Sequence, residues 1–387
     1  MKQDFYKRMK VAFTIFDYFP YGGLQLDFYR MTLEAVSRKH AVTVVCSSWE
    51  GPRVEGVSYQ LFPSRKWTNW GKALDFEAKA CRFLAENMFD LVLGFNRMKG
   101  ADLYFAADNC FGTRSRKKGF FTRLLAPRYR VFERMEESIF SPESSTKILY
   151  LTENQKQDFM TLYGTPEKRF YYLAPGVADS FCVRSEEEYK AVRQKIRNEF
   201  GIKEGKKVLI QVCSAFHTKG LDRTIRALAL LEEKERENTV LLAVGREKPF
   251  SMLSLVRKLS IPEENVIFTG GRSDVADLLC GADLMVHPAR NEATGGVLAE
   301  ALCSGVPVIA SGCCGYSPLV RESGGIVLEE PFRQEELNGV LQKILASDGE
   351  LASLREKGLA YGKGKALSFH NRAERAVEIM ERLVKYV

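Results

Sequence analysis

Several features that often reveal a function are missing from this 387-residue sequence. No run of eighteen or more apolar residues occurs, so we expect no membrane-spanning helix. There is no C-x-x-C pair among the nine cysteines, only four histidines are present, and neither H-E-x-x-H nor D-x-D occurs. A metal-dependent reaction is therefore not favoured. The dinucleotide fingerprint G-x-G-x-x-G and the phosphate-binding G-x-x-x-x-G-K-[ST] are also absent, which disfavours a nucleotide-sugar oxidoreductase or epimerase.

The N-terminal stretch and the cysteines both favour a reducing compartment. Residues Met1–Lys10 are polar and charged, which argues against a cleavable signal peptide, and we expect the protein in the cytoplasm. Cys46, Cys213 and Cys280 lie within apolar runs, so they are predicted to be buried thiols.

Basic charge is concentrated in one segment. Residues 110–140 contain eight basic and three acidic residues, which account for +5 of the formal net charge of +8. A solvated helix face and RNA binding are both possible interpretations, but the interleaved aromatic residues suit an anionic membrane surface better. The residues concerned are Arg114, Arg116, Lys117, Lys118, Arg123, Arg128, Arg130 and Arg134, with Phe111, Phe120, Phe121, Tyr129, Phe132 and Phe140.

Strand-like apolar runs alternate with helix-like segments along almost the whole chain. This alternation predicts an α/β protein in which parallel sheets are covered by helices on both faces. The pattern breaks near Pro175 and then restarts. We therefore expect two tandem Rossmann-like domains facing a central cleft, 1–175 and 176–370, with a last helix at 371–387 packing back on the first. Ligands bind beyond the carboxyl ends of the strands in such folds.

The most informative stretch follows a predicted strand at 283–286. Glu292 lies in the loop, Gly295 and Gly296 precede a predicted helix, and Glu300 comes one turn later. Backbone amides at a helix N-terminus attract anions, and glycines let a phosphate approach them closely. Carboxylates on either side suit the hydroxyls of a sugar. The stretch therefore indicates a nucleotide-sugar site.

A glycine pair also follows the first predicted strand. Gly22 and Gly23 can simply form a tight turn, or they can let a donor phosphate or sugar approach the backbone. Asp27, one turn into the next helix, is then placed to bind a sugar hydroxyl.

Three further charged residues follow predicted strands. Lys219 precedes Gly220 and can neutralise a diphosphate without a metal, although a surface lysine is the simpler interpretation. Arg272 lies in a glycine-rich turn that can accommodate a nucleobase, or in which Asp274 merely caps the next helix. Asp108 either caps a turn or acts as a carboxylate on the acceptor side.

Together these motifs resemble the retaining family 4 glycosyltransferases, which have the two-domain GT-B fold, and within that family the lipopolysaccharide core glucosyltransferases. The resemblance extends from residue 18 to about 320 and rests on specific phrases. They include YFPYGGLQLDF (18–28), GFNRMKGADLYFAADNC (94–110), RYRVFER (128–134), KGLDR (219–223), ADLMVHPA (282–289) and CGYSPLV (314–320).

The resemblance implies a role for each matched residue. Glu300 is expected to bind the ribose, Glu292 the donor sugar, and Lys219 the diphosphate together with the amides of Thr294, Gly295, Gly296 and Val297. Arg272 is expected beside the uracil, and Gly22, Gly23, Asp27 and Asp108 along the sugar and acceptor side. Family members usually carry an arginine near the phosphate lysine; here those positions are Thr218 and Ser214, so either His217 or a displaced arginine is expected to compensate, or the affinity for the donor is expected to be weaker. Gly296 replaces a more usual apolar residue.

The resemblance also implies the reaction and its setting. We expect a metal-independent hexosyltransferase that moves glucose from UDP-glucose to a lipopolysaccharide-type acceptor at the cytoplasmic face of the inner membrane. The membrane-binding residues are expected to be Arg114, Arg116, Lys117, Lys118, Phe120, Phe121, Arg123, Arg128 and Arg130. The alternative is a nucleotide-sugar-binding or membrane-surface scaffold protein without turnover.

Overall fold

The computed structural model of the chain describes residues 8–20, 22–116 and 125–385. The chain divides into two compact units: Met1–Gly176 with Asn371–Val387, and Val177–His370.

The first unit is built on a seven-stranded parallel sheet in the order β3-β2-β1-β4-β5-β6-β7. Strand β1 lies inside the sheet between β2 and β4, where Val11 pairs with Val42 on one side and Leu91 on the other. The strands are β1 Lys10–Tyr18, β2 Ala41–Trp49, β3 Ser58–Leu61, β4 Leu91–Gly94, β5 Leu103–Ala106, β6 Lys147–Tyr150 and β7 Phe170–Tyr172.

Helices pack on this sheet because their apolar faces complete its core. Phe13 of β1, Phe28, Phe95 and Met380 of the last helix are fully buried in one cluster. The helix that ends the described chain therefore belongs to the core of the first unit. The helices of this unit are α1 Gly23–Ser37, α2 Asn69–Glu86, α3 Phe111–Arg116, α4 Pro127–Phe140, α5 Glu153–Tyr163 and α15 Arg372–Lys385.

The second unit contains a six-stranded parallel sheet in the order β10-β9-β8-β11-β12-β13. If β8 is counted as the first strand, this is the 3-2-1-4-5-6 order of dinucleotide-binding folds. In such folds the strand order reverses between the first and fourth strands, here β8 and β11, and ligands bind at that point. The strands are β8 Lys207–Val212, β9 Thr239–Val244, β10 Val266–Gly270, β11 Leu284–His287, β12 Val308–Ser311 and β13 Ile326–Leu328.

Nine helices accompany this second sheet in the described chain. Leu209, Leu241, Leu284 and Leu341 are fully buried in its largest core cluster. The helices are α6 Glu186–Glu199, α7 Leu221–Ala229, α8 Glu233–Glu237, α9 Phe250–Lys258, α10 Val275–Gly281, α11 Gly296–Cys303, α12 Ser317–Glu322, α13 Gln334–Ala346 and α14 Asp348–Lys363.

The α/β class expected from the sequence is confirmed, but some elements differ from the sequence prediction. The helical spacing of residues 73–87 predicts a helix there, but helix α2 begins four residues earlier, at Asn69. The hydroxyl of Thr68 caps it by accepting a hydrogen bond from Gly71 N at 3.1 Å. The very polar stretch 185–199 has no apolar period that predicts a helix, but helix α6 occupies it; Ser185 caps the helix and three glutamates lie in its first turn.

Candidate active site

Two loops of the second unit meet at the reversal point of its sheet. One loop follows β8 and carries Lys219, and the other follows β11 and carries Glu292. Because β8 and β11 are neighbouring parallel strands, their carboxyl ends lie side by side. The fold therefore brings together two residues that are 73 positions apart in the sequence.

Lys219 and Glu292 form an ion pair in this position. Lys219 Nζ lies 2.8 Å from Glu292 Oε2 and donates to the carbonyl oxygen of Asn291 at 3.1 Å. His287 Nε2 lies 3.2 Å from the same carboxylate oxygen. The Glu292 side chain is only 14% exposed, so its interactions are little screened by water.

The surroundings of Glu292 keep it ionised. Burial alone raises the pKa of a carboxyl group, but the hydrogen bond from His287 and the charge of Lys219 outweigh it, and the pKa of Glu292 is lowered. An ionised carboxylate accepts hydrogen bonds on both oxygens. Glu292 is therefore suited to bind hydroxyl groups.

The turn after Glu292 exposes the start of a helix. Gly295 has φ +91° in the left-handed region and forms the N-cap of α11, which begins at Gly296. Amides in the first turn of a helix have no acceptor within it. A Cβ atom on Gly296 would meet no atom within 4 Å, so a ligand has open access to the backbone there. Glu300 follows on the same helix, half-buried and one turn beyond Gly296.

A neighbouring loop holds this turn in place. An isolated parallel bridge joins Glu292 to Cys314, and Tyr316 N donates to the carbonyl oxygen of Thr294 at 2.7 Å. The loop after β12 thus supports the peptide that presents the amides of Gly296 and Val297.

The lysine loop is fixed by a close backbone approach. Gly220 has φ +75°, and a Cβ atom there would lie 2.0 Å from the carbonyl oxygen of Pro288. The guanidinium of Arg290 donates to both oxygens of Asp222, at 2.7 and 2.8 Å, and to the carbonyl oxygen of His217 at 2.7 Å. Burial raises the pKa of Asp222, but the hydrogen bond and charge of Arg290 outweigh it and the pKa is lowered. Arg290 thus lies beside the lysine loop, but its charge is already balanced by Asp222.

Arg272 follows β10, a strand at the edge of the same sheet. Its strand, β10, is three strand spacings from β11, which is roughly 14 Å. Its guanidinium binds Asp274 at 2.8 and 2.6 Å and Glu199 at 2.8 Å. Asp274 stands at the N-cap of α10 but makes no side-chain cap bond, so capping was the wrong interpretation of that carboxylate.

In the first unit the glycine pair lies where α1 begins. Gly22 is the N-cap, with an extended backbone at φ −99°, and Gly23 is the first helical residue. Asp27, on the same helix, accepts a hydrogen bond from Arg372 Nη1 at 2.8 Å. Arg372 also donates to the carbonyl oxygen of Ala174 at 2.7 Å. The carboxylate of Asp27 is therefore already engaged with α15.

Of the two predicted site carboxylates of the first unit, Asp108 is more accessible than Asp27. It follows β5, its side chain is 68% exposed, and Arg97 Nη1 lies 3.6 Å from Oδ2. Arg97 is oriented by the buried Glu136, which accepts from Arg97 Nε at 2.8 Å. Glu136 also accepts from the amide of Gly112 at 2.7 Å. One buried carboxylate thus fixes both sides of the Asp108 loop.

Comparison with known proteins gives a match over nearly the whole chain. The chain is 39% identical over 374 residues to a lipopolysaccharide glucosyltransferase of Escherichia coli, WaaG, covering 96% of this chain and 98% of the relative. The family model for glycosyl transferases group 1 matches residues 192–360.

The chain belongs to this glycosyltransferase family.

Solved structures confirm the two-domain fold of this glycosyltransferase. A crystal structure of WaaG, a glycosyltransferase involved in lipopolysaccharide biosynthesis, superimposes with a TM-score of 0.87 and covers 95% of this chain and 99% of that one. Anabaena HepE in complex with UDP-glucose superimposes with a TM-score of 0.71 at 16% identity, covering 96% and 100% of the respective chains, which shows the fold alone. The expected pair of Rossmann-like domains is confirmed.

The basic segment of the glycosyltransferase is described in part. Arg114, Arg116, Arg128 and Arg130 are exposed on α3 and α4. The remaining predicted membrane residues lie outside the described ranges; they are Lys117, Lys118, Phe120, Phe121 and Arg123. No helix in the described part of the chain is long and apolar enough to cross a membrane.

Two aromatic residues of that segment do not belong to its surface. Phe140 is fully buried and stacks on Phe159 with ring centroids 3.6 Å apart, and Tyr129 is only 8% exposed. Counting them among the surface aromatics was wrong, because they lie on the inner side of α4 and complete the packing of the first unit.

Several residues that contact the site were not predicted from the sequence. His287, Asp222 and Arg290 contact the lysine and glutamate loops, but each looks like an ordinary strand-end or surface residue. Arg223 donates to the carbonyl oxygen of Pro288 at 3.0 Å and lies over the ring of Phe332, 3.7 Å from its centroid. The close approach at Gly220 was the one available hint, since a glycine before a helix often marks a tight contact.

Proposed function

We propose that this glycosyltransferase transfers glucose from UDP-glucose to a heptose of a lipopolysaccharide core, with retention of the anomeric configuration. The observation that carries the proposal is the identity of 39% across 96% of the chain with a lipopolysaccharide glucosyltransferase. The match includes both units, so it extends to the part of the molecule that must recognise the acceptor as well as to the donor site.

In this proposal the second unit binds the donor. The exposed amides of Gly296 and Val297, with Thr294 and Gly295 shaping the turn, hold the diphosphate, because helix N-termini favour anions. Lys219 adds a positive charge on the departing group, Glu292 binds a hydroxyl of the glucose, and Glu300 binds the ribose. The Lys219–Glu292 distance of 2.8 Å supports this division, since one lysine can bridge a sugar-binding carboxylate and a phosphate.

The uracil is assigned to the glycine-rich loop after β10. Arg272 borders that loop, with its guanidinium held by Glu199 and Asp274. A separation of roughly 14 Å from the Glu292 strand suits the distance between the base and the transferred sugar of a nucleotide sugar.

The acceptor side is assigned to the first unit. Of the two predicted carboxylates there, Asp108 is accessible and Asp27 is paired with Arg372. Gly22 and Gly23 border the same edge of the sheet. We assign Asp108 to the acceptor hydroxyl and Asp27 to orienting the start of α1.

Catalysis in this proposal needs no metal ion. Lys219 and the amides at the start of α11 supply positive charge and hydrogen-bond donors where negative charge develops on the diphosphate. Positioning of donor and acceptor supplies the remainder. Turnover undiminished by EDTA is the expected result, and activity restored only by added Mg²⁺ would refute this part.

The test of the donor assignment is a panel of nucleotide sugars. The protein is incubated with each sugar and a lipid-free lipopolysaccharide core, and released UDP and glycosylated product are quantified. UDP-glucose is expected to give the highest turnover, Glu292→Ala to abolish it with unchanged circular dichroism, and Glu187→Ala, an exposed carboxylate on α6, to leave it intact. Tight UDP binding by titration calorimetry without transfer to any acceptor would instead favour the non-catalytic scaffold.

We further propose that the enzyme works at the cytoplasmic surface of the inner membrane. The exposed Arg114, Arg116, Arg128 and Arg130 support this, since each basic residue near an anionic surface contributes about 1 kcal/mol. Flotation with anionic vesicles should weaken at high salt and when these four arginines are replaced by glutamine. Flotation that is independent of lipid charge and salt would refute the assignment.

A further inference from the structure

The loop between β3 and α2 displays an unusually accessible tryptophan. Trp67 is 99% exposed, and its neighbours Arg65 and Lys66 are exposed as well. A single exposed apolar residue is common and needs no explanation. Here, however, the ring lines a hollow together with four charged side chains and Pro63.

The hollow beside Trp67 has a volume of about 390 Å³. Its position is well defined: Lys79 Nζ donates to the carbonyl oxygen of Pro63 at 3.2 Å and to Asp75 Oδ2 at 2.8 Å. The Thr68 cap fixes the other end of the loop. The lining residues are Pro63, Arg65, Lys66, Trp67, Asp75 and Lys79.

These side chains together match the chemistry of a charged sugar. The face of an indole ring is electron-rich and packs against the C–H groups of a pyranose. Asp75 and Lys79 offer an acceptor and donors for hydroxyl groups. Arg65 and Lys66 add two cations at the rim, which suit a phosphate or carboxylate substituent.

The hollow lies too far from Asp108 to hold the sugar unit that receives the hexose. The Trp67 loop and the Asp108 loop both leave the carboxyl edge of the same parallel sheet. Their strands, β3 and β5, are four strand spacings apart, which is roughly 19 Å. One sugar ring cannot cover that span, so an occupant of the hollow that is also the acceptor has to be an oligosaccharide.

We propose that Trp67, Arg65 and Lys66 form a subsite for an anionic sugar unit of an oligosaccharide acceptor, several units away from the one that receives the hexose. The inference rests on the proposed function, in which the acceptor is an oligosaccharide core. The subsite sets which acceptors bind and leaves the chemical step to the residues described above.

The experiment measures binding and transfer separately with the full-length protein. The probes are a lipid-free lipopolysaccharide core oligosaccharide that carries phosphate groups and the same oligosaccharide after removal of its phosphates. Affinity is measured by titration calorimetry without donor, and transfer from UDP-glucose is measured in parallel. The variants are Trp67→Ala, the pair Arg65→Ala with Lys66→Ala, and Met88→Ala. Met88 is a matched control because it is 89% exposed in the same unit but precedes β4, at the amino edge of the sheet.

The expected results differ between the variants. Trp67→Ala lowers the affinity for both oligosaccharides about tenfold, because one aromatic contact is lost. The kcat and the KM for UDP-glucose stay unchanged. The double alanine variant loses affinity only for the phosphorylated oligosaccharide. Met88→Ala behaves as the wild type does.

Three results would overturn the subsite. The first is an unchanged oligosaccharide affinity of Trp67→Ala, and the second is an equal loss of affinity of the double variant for both oligosaccharides. The third is that the variants float less on anionic vesicles but keep their oligosaccharide affinity, which would make the loop a membrane contact. If oligosaccharide binding depends on Trp67 but no transfer occurs with any donor, the proposed reaction fails and the subsite stands.

Discussion

Lys219 and Glu292 form one ion pair, and its charge state depends on pH. Burial raises the pKa of Glu292, and the hydrogen bond from His287 together with Lys219 lowers it below its ordinary value. The stabilisation from this carboxylate is thus present above the ordinary pKa of about 4.3 and is lost as the pH falls through the lowered value.

Replacing Lys219 with methionine removes one of the partners that lower this pKa. The effect of burial is then opposed by fewer interactions, so the pKa of Glu292 rises and the acidic limb of kcat/KM for residual transfer moves to higher pH. Long incubations between pH 4 and 8 measure the profile. Lys258→Met, at an exposed lysine of α9, should leave it unchanged. An acidic limb at the wild-type pH in Lys219→Met would refute the proposed coupling.

Gly220 allows the lysine loop to touch the β11 loop. An alanine there combines a φ of +75° with a Cβ atom 2.0 Å from the carbonyl oxygen of Pro288. We expect Gly220→Ala to lower the free energy of unfolding by about 2 kcal/mol or more, measured by urea denaturation.

The control for Gly220→Ala is Gly339→Ala, on the exposed face of α13 with no atom within 4 Å of the new Cβ atom. It should stabilise the protein by about 0.5 to 1 kcal/mol, since glycine is a poor helix former. Equal effects of the two substitutions would mean that the close approach contributes nothing.

At the residue scale the sequence indicated which residues to examine but not how they pair. Lys219 and Glu292 were identifiable because each follows an apolar run that ends in a loop. Their ion pair depends on β8 and β11 being neighbours, which local periodicity does not encode. The same holds for Asp27, whose partner Arg372 is 345 positions away.

At the scale of elements, α15 is attached to the first unit by a buried carboxylate as well as by apolar packing. Glu381 Oε1 lies 2.9 Å from His40 Nε2, and Oε2 lies 3.0 Å from Arg38 Nη1. The side chains of Glu381 and His40 are each 1% exposed. Removing the carboxylate leaves the buried His40 Nε2 without this partner, whereas Arg38, whose side chain is 22% exposed, keeps Glu34 Oε1 at 2.7 Å.

Glu381→Ala is therefore expected to destabilise the first unit by about 3 kcal/mol or more. Glu378→Ala, which removes a surface pair with Arg375 on the same helix, should change stability by about 0.5 kcal/mol or less. Chemical denaturation of both variants measures the difference. A loss for Glu381→Ala no larger than that for Glu378→Ala would show that apolar packing alone holds α15.

The elements themselves could be predicted where apolar residues recur with a clear period. Helix α13 follows such a pattern closely, and strand β1 is recognisable instead as a continuous, largely apolar run whose residues are mostly buried. Helix α6 was missed because it is polar on most of its surface: only Ile196 and Arg197 are buried along its fourteen residues. Its signals are the Ser185 cap and the run of glutamates, which act at one end only.

At the scale of the whole molecule, the repeated alternation of strands and helices was enough to predict two parallel sheets. It could not predict details that depend on side chains meeting across a sheet edge, such as the Trp67 hollow or the support of the Thr294 turn by Tyr316. Those features arise once strand order is set, and strand order follows from packing along the entire chain rather than from any local pattern.

We propose that Glu292 and Lys219 serve a retaining, metal-independent transfer of glucose. The most direct measurement is NMR analysis of the product formed from UDP-glucose and a heptose-bearing core oligosaccharide in the presence of EDTA. We expect an α-linked glucose from the wild type, matching the configuration of the donor, and no product from Glu292→Ala. A β-linked product, or undiminished transfer by Glu292→Ala, would contradict it.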